Sequence, residues 1–153
     1  MGSRRRARQF ALQALYQSDL MGISAMASLN HLWSGHLDEE GLDDATPPDS
    51  EEVEFAQRLV QGTLDDLDAL DTLIESASTN WRLPRMPLVD RNILRMAAFE
   101  LKHCTDIPAN VSVNEAIELA KQFGTADSRA FVNGIVDRMG RQLGRLDKKR
   151  RRK

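Results

Sequence analysis

The chain has 153 residues, of which 41% are apolar and 29% charged, and its formal net charge is −2. That length is enough for one compact domain with a real core. No apolar run reaches the length of a membrane span, and the single cysteine, Cys104, excludes an intrachain disulfide. No secretory signal pattern is present, because Gln13, Gln17 and Asp19 interrupt the stretch Phe10 to Leu20. A cytoplasmic location is expected.

The charge is segregated. Thirteen acidic residues and one basic residue, Arg58, lie between Asp38 and Asp71. The opposite sign gathers at the two ends, with four arginines at Arg4, Arg5, Arg6 and Arg8 and seven basic residues from Arg145 to Lys153. A phosphate polyanion suits those ends, and the acidic belt would keep it off the remaining surface.

In chain order, Ser3 is placed to cap a first helix that runs to about Met21 and ends at Gly22. On a wheel of about 100° per residue, Ala7, Phe10, Ala11, Ala14 and Ser18 gather on a core face. Arg5, Gln9, Gln13 and Tyr16 line a different stripe. A planar guanidinium binds phosphate bidentately, amides read base edges and a phenol ring stacks on an unpaired base. The alternative is a solvated basic end with Tyr16 packed beside Leu12 and Leu20. Cations at a helix N-terminus oppose the dipole by a few tenths of a kcal/mol each, about the scale of a surface charge effect. A bound phosphate would offset that repulsion.

A second helix is expected over 25–37, with Leu29, Leu32 and Trp33 inward. Residues 38–50, with Pro47-Pro48, read as a solvated acidic loop. Asp49 and Glu52 resemble a capping box for the next helix. Its apolar stripe continues from Ala56 to Ala77, with Asp65-Asp66 as a bend or break. Leu83-Pro84 and Met86-Pro87 punctuate the centre. A helix is expected over 88–103, then a turn at Asp106-Ile107-Pro108. Ser112 and Glu115 form a capping box ahead of a helix over 113–123, which Gly124 ends. The last helix is expected over 127–143, with Asp127 as N-cap. Gly134, inside it, costs about 1 kcal/mol relative to Ala, and close helix packing is the expected reason. Phe131 fits either the core or an exposed stacking ring. The tail "DKKRRRK" reads as disordered.

The class is all-α, with six or seven helices. His31, His36, His103 and Cys104 match no zinc spacing, and no phosphate loop, nucleophile motif or paired-carboxylate site stands out. No metal, cofactor or enzymatic activity is expected.

Three blocks resemble the NusB family of transcription antitermination factors: "RRRARQFALQALYQ", "LVDRNILRMAAFEL" and "VNEAIELAKQFGTADSRAFVNGIVDRM". The resemblance implies two three-helix bundles packed in one domain, here residues 1–144, followed by a basic tail at 145–153. It implies binding of boxA single-stranded RNA together with the ribosomal protein NusE. The RNA polymerase antitermination complex is the further partner, and transcription of ribosomal RNA operons is the process served. It places Arg4, Arg5, Arg6, Arg8, Gln9, Tyr16, Asp127 and Phe131 at the RNA surface, and Asp90 at the NusE contact. "SASTNW", residues 76–81, departs from the family pattern. The family does not fix whether this chain is a monomer or a homodimer. Two other readings are a structural or dimerisation module and a relative of the NusB-like domain of RNA cytosine methyltransferases. The latter enzymes need a further catalytic domain for which 153 helical residues leave no room.

Overall fold

The computed structural model describes residues 3–38 and 47–146, with side chains over 4–33 and 47–146. The side chain of Ser3, most of the acidic loop and the segment 147–153 therefore lie outside the described residues. Among those described there are seven α-helices, one 3-10 turn and no strand, as the all-α class requires. The chain divides into two compact units, Met1–Asp65 and Asp66–Lys153.

In the first unit, α1 (Ser3–Met21) packs on both α2 (Ala25–Asp38) and α3 (Ser50–Asp65). Its inward face is built on alanine: Ala7, Ala11 and Ala14 are fully buried, flanked by Leu12 and Leu15. Small side chains at a spacing of three and four let neighbouring backbones approach. Phe10, at the edge of that face, stacks obliquely on Trp33 of α2, ring centroids 4.5 Å apart. Gly22 stops α1 in the left-handed region at φ +72°, where its N–H donates to Ser18 O at 2.8 Å. Ser24 caps α2 through Oγ, which accepts Ala27 N–H at 3.2 Å. Asp49 caps α3 by accepting Glu52 N–H at 2.8 Å. The capping box is one-sided, however, because the Glu52 side chain turns to Arg6 instead.

The expected bend at Asp65-Asp66 is a full break, and it coincides with the division between the units. Asp66 begins α4 (Leu67–Ala77) and receives Lys102 Nζ and His103 Nε2, each at 2.8 Å. Those bonds, His103 first, hold its carboxyl below the usual range. The second unit continues through the 3-10 turn Leu83–Arg85, α5 (Leu88–His103), α6 (Ala109–Phe123) and α7 (Ser128–Gln142). Among the described residues it holds four α-helices, and the first unit three. Helix α5 is central, contacting α4, α6 and α7. Ile93, Leu94, Met96, Ala97, Ala98, Phe99 and Leu101 fill its surroundings.

Two further expectations are corrected. Helix α6 starts at Ala109, behind Pro108, and not at Val113. Proline at the N-cap sacrifices no hydrogen bond and pre-sets φ. Ser112 therefore falls inside the first turns, where its Oγ donates to buried Glu100 at 2.7 Å instead of capping. At the other end the basic segment does not leave the fold at Arg145. The Arg145 guanidinium donates to Leu101 O at 2.5 Å and Ile107 O at 2.8 Å. Leu146 closes over Gly140, where an added Cβ would meet Leu146 Cδ1 at 2.5 Å.

Candidate nucleic-acid interface

Helix α1 carries the first group of candidate residues, all within the first unit. Its four arginines have different surroundings. Arg4 and Arg5 are exposed. Arg6 is mostly covered and forms an ion pair with Glu52, itself 4% exposed. Arg8 is 3% exposed, with its guanidinium carbon 5.2 Å from the centre of the Phe55 ring. Arg4 approaches the same ring at 4.4 Å. The helix dipole repulsion is thus offset inside the protein, by the Glu52 carboxylate and by the negative face of Phe55. A cleft of about 320 Å³ lined by Arg4, Glu51, Glu54, Phe55 and Arg58 opens beside this turn.

The four arginines expected at the RNA surface thus differ in exposure. Burial takes Arg8 off the surface, and Glu52 occupies Arg6. Arg4 and Arg5 keep outward positions. Gln9, Gln13 and Tyr16 are each half-buried along the stripe that Arg5 begins. α1 therefore presents a guanidinium, two amides and a phenol beside its buried alanine face.

The second group lies in the second unit, at the start of α7. Asp127 is exposed and occupies the N-cap position, but its side chain makes no capping hydrogen bond. Ser128 fixes the corner instead. Its Oγ accepts Thr125 N–H at 2.9 Å and donates to Asp90 Oδ1 at 2.7 Å. Gly124 must be glycine for this clasp, since a Cβ there would lie 2.5 Å from Ser128 Cβ. Phe131 is half-buried and meets Trp81 edge to face, centroids 6.2 Å apart at 78°. It is neither a core ring nor a lone exposed one.

Asp90, expected at the NusE contact, is 3% exposed in the chain alone and accepts a hydrogen bond from Ser128. Burial pushes its carboxyl above the usual range, and the Ser128 hydrogen bond partly opposes that shift. Trp81, the last residue of the stretch that departs from the family pattern, has no assigned role in the sequence reading and is 48% exposed in the loop before the 3-10 turn. Its signal was an aromatic residue outside any apolar periodicity. Ser78 Oγ pins that loop by donating to Trp81 O at 2.8 Å. Among the described residues no cluster of metal-ligating side chains occurs and no helix is long and apolar enough to cross a membrane.

Comparison with solved structures defines the class. The fold is that of NusB: a structure of NusB from T. maritima superposes with a TM-score of 0.77 at 36% identity, covering 91% of each chain. A structure described as antitermination factors NusB and NusE in complex with dsRNA shares the fold at TM-score 0.79 and 22% identity, over 93% of this chain and 98% of that one. The transcription antitermination protein NusB of Myxococcus xanthus is 45% identical over 145 residues, 95% of this chain and 99% of its own. The NusB family model matches residues 5–141. The chain belongs to the NusB family, whose members are transcription antitermination factors and not enzymes.

Proposed function

We propose that this protein binds boxA-type single-stranded RNA jointly with NusE, joins the RNA polymerase antitermination complex in the cytoplasm and promotes transcription of ribosomal RNA operons. The observation that carries this reading is the outer stripe of α1. Arg4 and Arg5 are exposed where Arg6 and Arg8 are largely covered, and Gln9, Gln13 and Tyr16 continue the same surface. Exposed guanidinium groups supply phosphate affinity, and amides with an aromatic ring supply contacts to unpaired bases. Asp127 and Phe131 form a second surface for the same class of ligand. The solved complex of NusB and NusE with double-stranded RNA supports NusE and RNA as the classes of partner. The NusE contact, expected at Asp90, rests on family membership. A homodimer is a second reading that Leu20, Met21 and Ile23 favour, being 55%, 64% and 43% exposed at the end of α1.

Binding of a boxA-containing RNA and of a scrambled RNA, each with and without NusE, tests the proposal. The expected result is a preference for boxA that grows when NusE is added. Equal affinity for both RNAs in both conditions would contradict it. Sedimentation of the chain alone decides between monomer and homodimer.

A further inference from the structure

Helix α7 contains a glycine that packing does not explain. Among the described residues, an added Cβ at Gly134 would meet only Arg138 Nη2 at 3.7 Å and Nη1 at 3.9 Å, which is ordinary contact. The close helix approach expected there is absent, so the helix carries a destabilising residue with no packing return. Spacings of three and four residues set Phe131, Gly134 and Arg138 along one face. Gly134 thus leaves a step without a side chain between a ring and a guanidinium. Arg138 Nε donates to Ala77 O at 2.5 Å, which ties the guanidinium to the segment leading into the Trp81 loop. That loop sets Trp81 edge to face against Phe131 and leaves it half exposed.

We infer that Trp81, Phe131, Gly134 and Arg138 form a seat for one unpaired nucleobase and its phosphate, with Trp81 as an additional stacking ring. The inference rests on the RNA-binding reading above and adds Trp81, Gly134 and Arg138 to it. Charge selects the occupant. In the segments that carry the seat, exposed Arg82, Arg85, Arg129 and Arg138 outnumber exposed Glu75 and Asp127, and this balance suits a polyanion better than an apolar peptide. A flat base needs a ring face and a shallow step, and it gains from a nearby guanidinium. A Cβ at Gly134 would occupy the floor of that step.

The test uses the full chain and a boxA-containing single-stranded RNA. Trp33→Phe leaves Trp81 as the only tryptophan of the two in the sequence, and its emission is expected to be quenched as RNA is added. Trp81→Ala is expected to weaken binding by about five- to one-hundred-fold. Trp81→Phe retains a stacking face and is expected to stay near wild type. Gly134→Ala is expected to raise the melting temperature while lowering RNA affinity, a combination that a purely structural glycine would not give. Wild-type affinity in both Trp81→Ala and Gly134→Ala would overturn the seat and leave the RNA-binding reading standing. Absence of RNA binding by the wild-type chain, with or without NusE, would overturn both. Quenching of Trp81 by NusE alone, with none by RNA, would make this a protein surface and also overturn the seat.

Discussion

Glu52 illustrates how one residue's role depends on a partner distant in sequence. Local spacing places it correctly at the third position of α3, but its carboxylate serves Arg6, 46 residues earlier. Removing the guanidinium would strand a buried charge. Arg6→Ala is therefore expected to cost about 2–4 kcal/mol in folding stability, measurable by chemical denaturation. Arg5→Ala is expected to cost less than about 0.5 kcal/mol, as an exposed surface substitution does. Asp90 makes the same point in the second unit. Its carboxyl is raised by burial, so the folded state holds its proton to higher pH than the unfolded state does. Stability from this group is greatest below the ordinary value of about 3.9 and falls as pH rises through the raised folded value. Asp90→Asn preserves an acceptor for Ser128 and removes the charge. It is expected to match or exceed wild-type stability at pH 7 and to flatten that part of the pH profile, as thermal melts across pH would show. The first turn of α5 was legible at Asp90, but the Ser128 hydroxyl that faces it comes 38 residues later.

At the scale of elements, the buried side of α1 was readable because alanine at helical spacing has few other uses; Ala7, Ala11 and Ala14 are all fully buried. The two arginines that turn inward were not readable, since what attracts them, Glu52 and Phe55, belongs to another helix. The start of α6 was misplaced for a related reason. Ser112 and Glu115 have the spacing of a capping box, and only the packing of α5 against α6 shows that Ser112 is engaged with Glu100. Helix α7 offers a test of the capping argument. An N-cap Asp usually contributes about 1 kcal/mol, but Asp127 makes no capping bond. Both Asp127→Asn and Asp127→Ala are expected to shift stability by less than about 0.5 kcal/mol. Because the exposed carboxylate repels phosphate, Asp127→Asn is also expected to tighten RNA binding in a filter or anisotropy assay. Weaker binding would assign the carboxylate a direct contact with a base or an arginine.

Across the whole molecule, the helical class and the family were legible in the sequence. Three uninterrupted blocks carry both, and the family model spans 5–141. The break at Asp65-Asp66 was visible as two adjacent acids within an apolar stripe. Its consequence, that α4 belongs with α5, α6 and α7, was not visible because the stripe continues across it. Charge segregation gave the class of ligand, while the structure decided which cations remain outside. The proposed function has Arg4 and Arg5 bind RNA phosphates while the largely covered Arg6 and Arg8 do not. Its most direct test is the salt dependence of single-stranded RNA binding by wild type, by the Arg4→Ala/Arg5→Ala double variant and by Arg8→Ala, each first shown to be folded. The slope of log affinity against log salt is expected to flatten by about 0.7 for each phosphate that the double variant no longer neutralises, and to remain at the wild-type value in Arg8→Ala. An unchanged slope in the double variant would contradict the account.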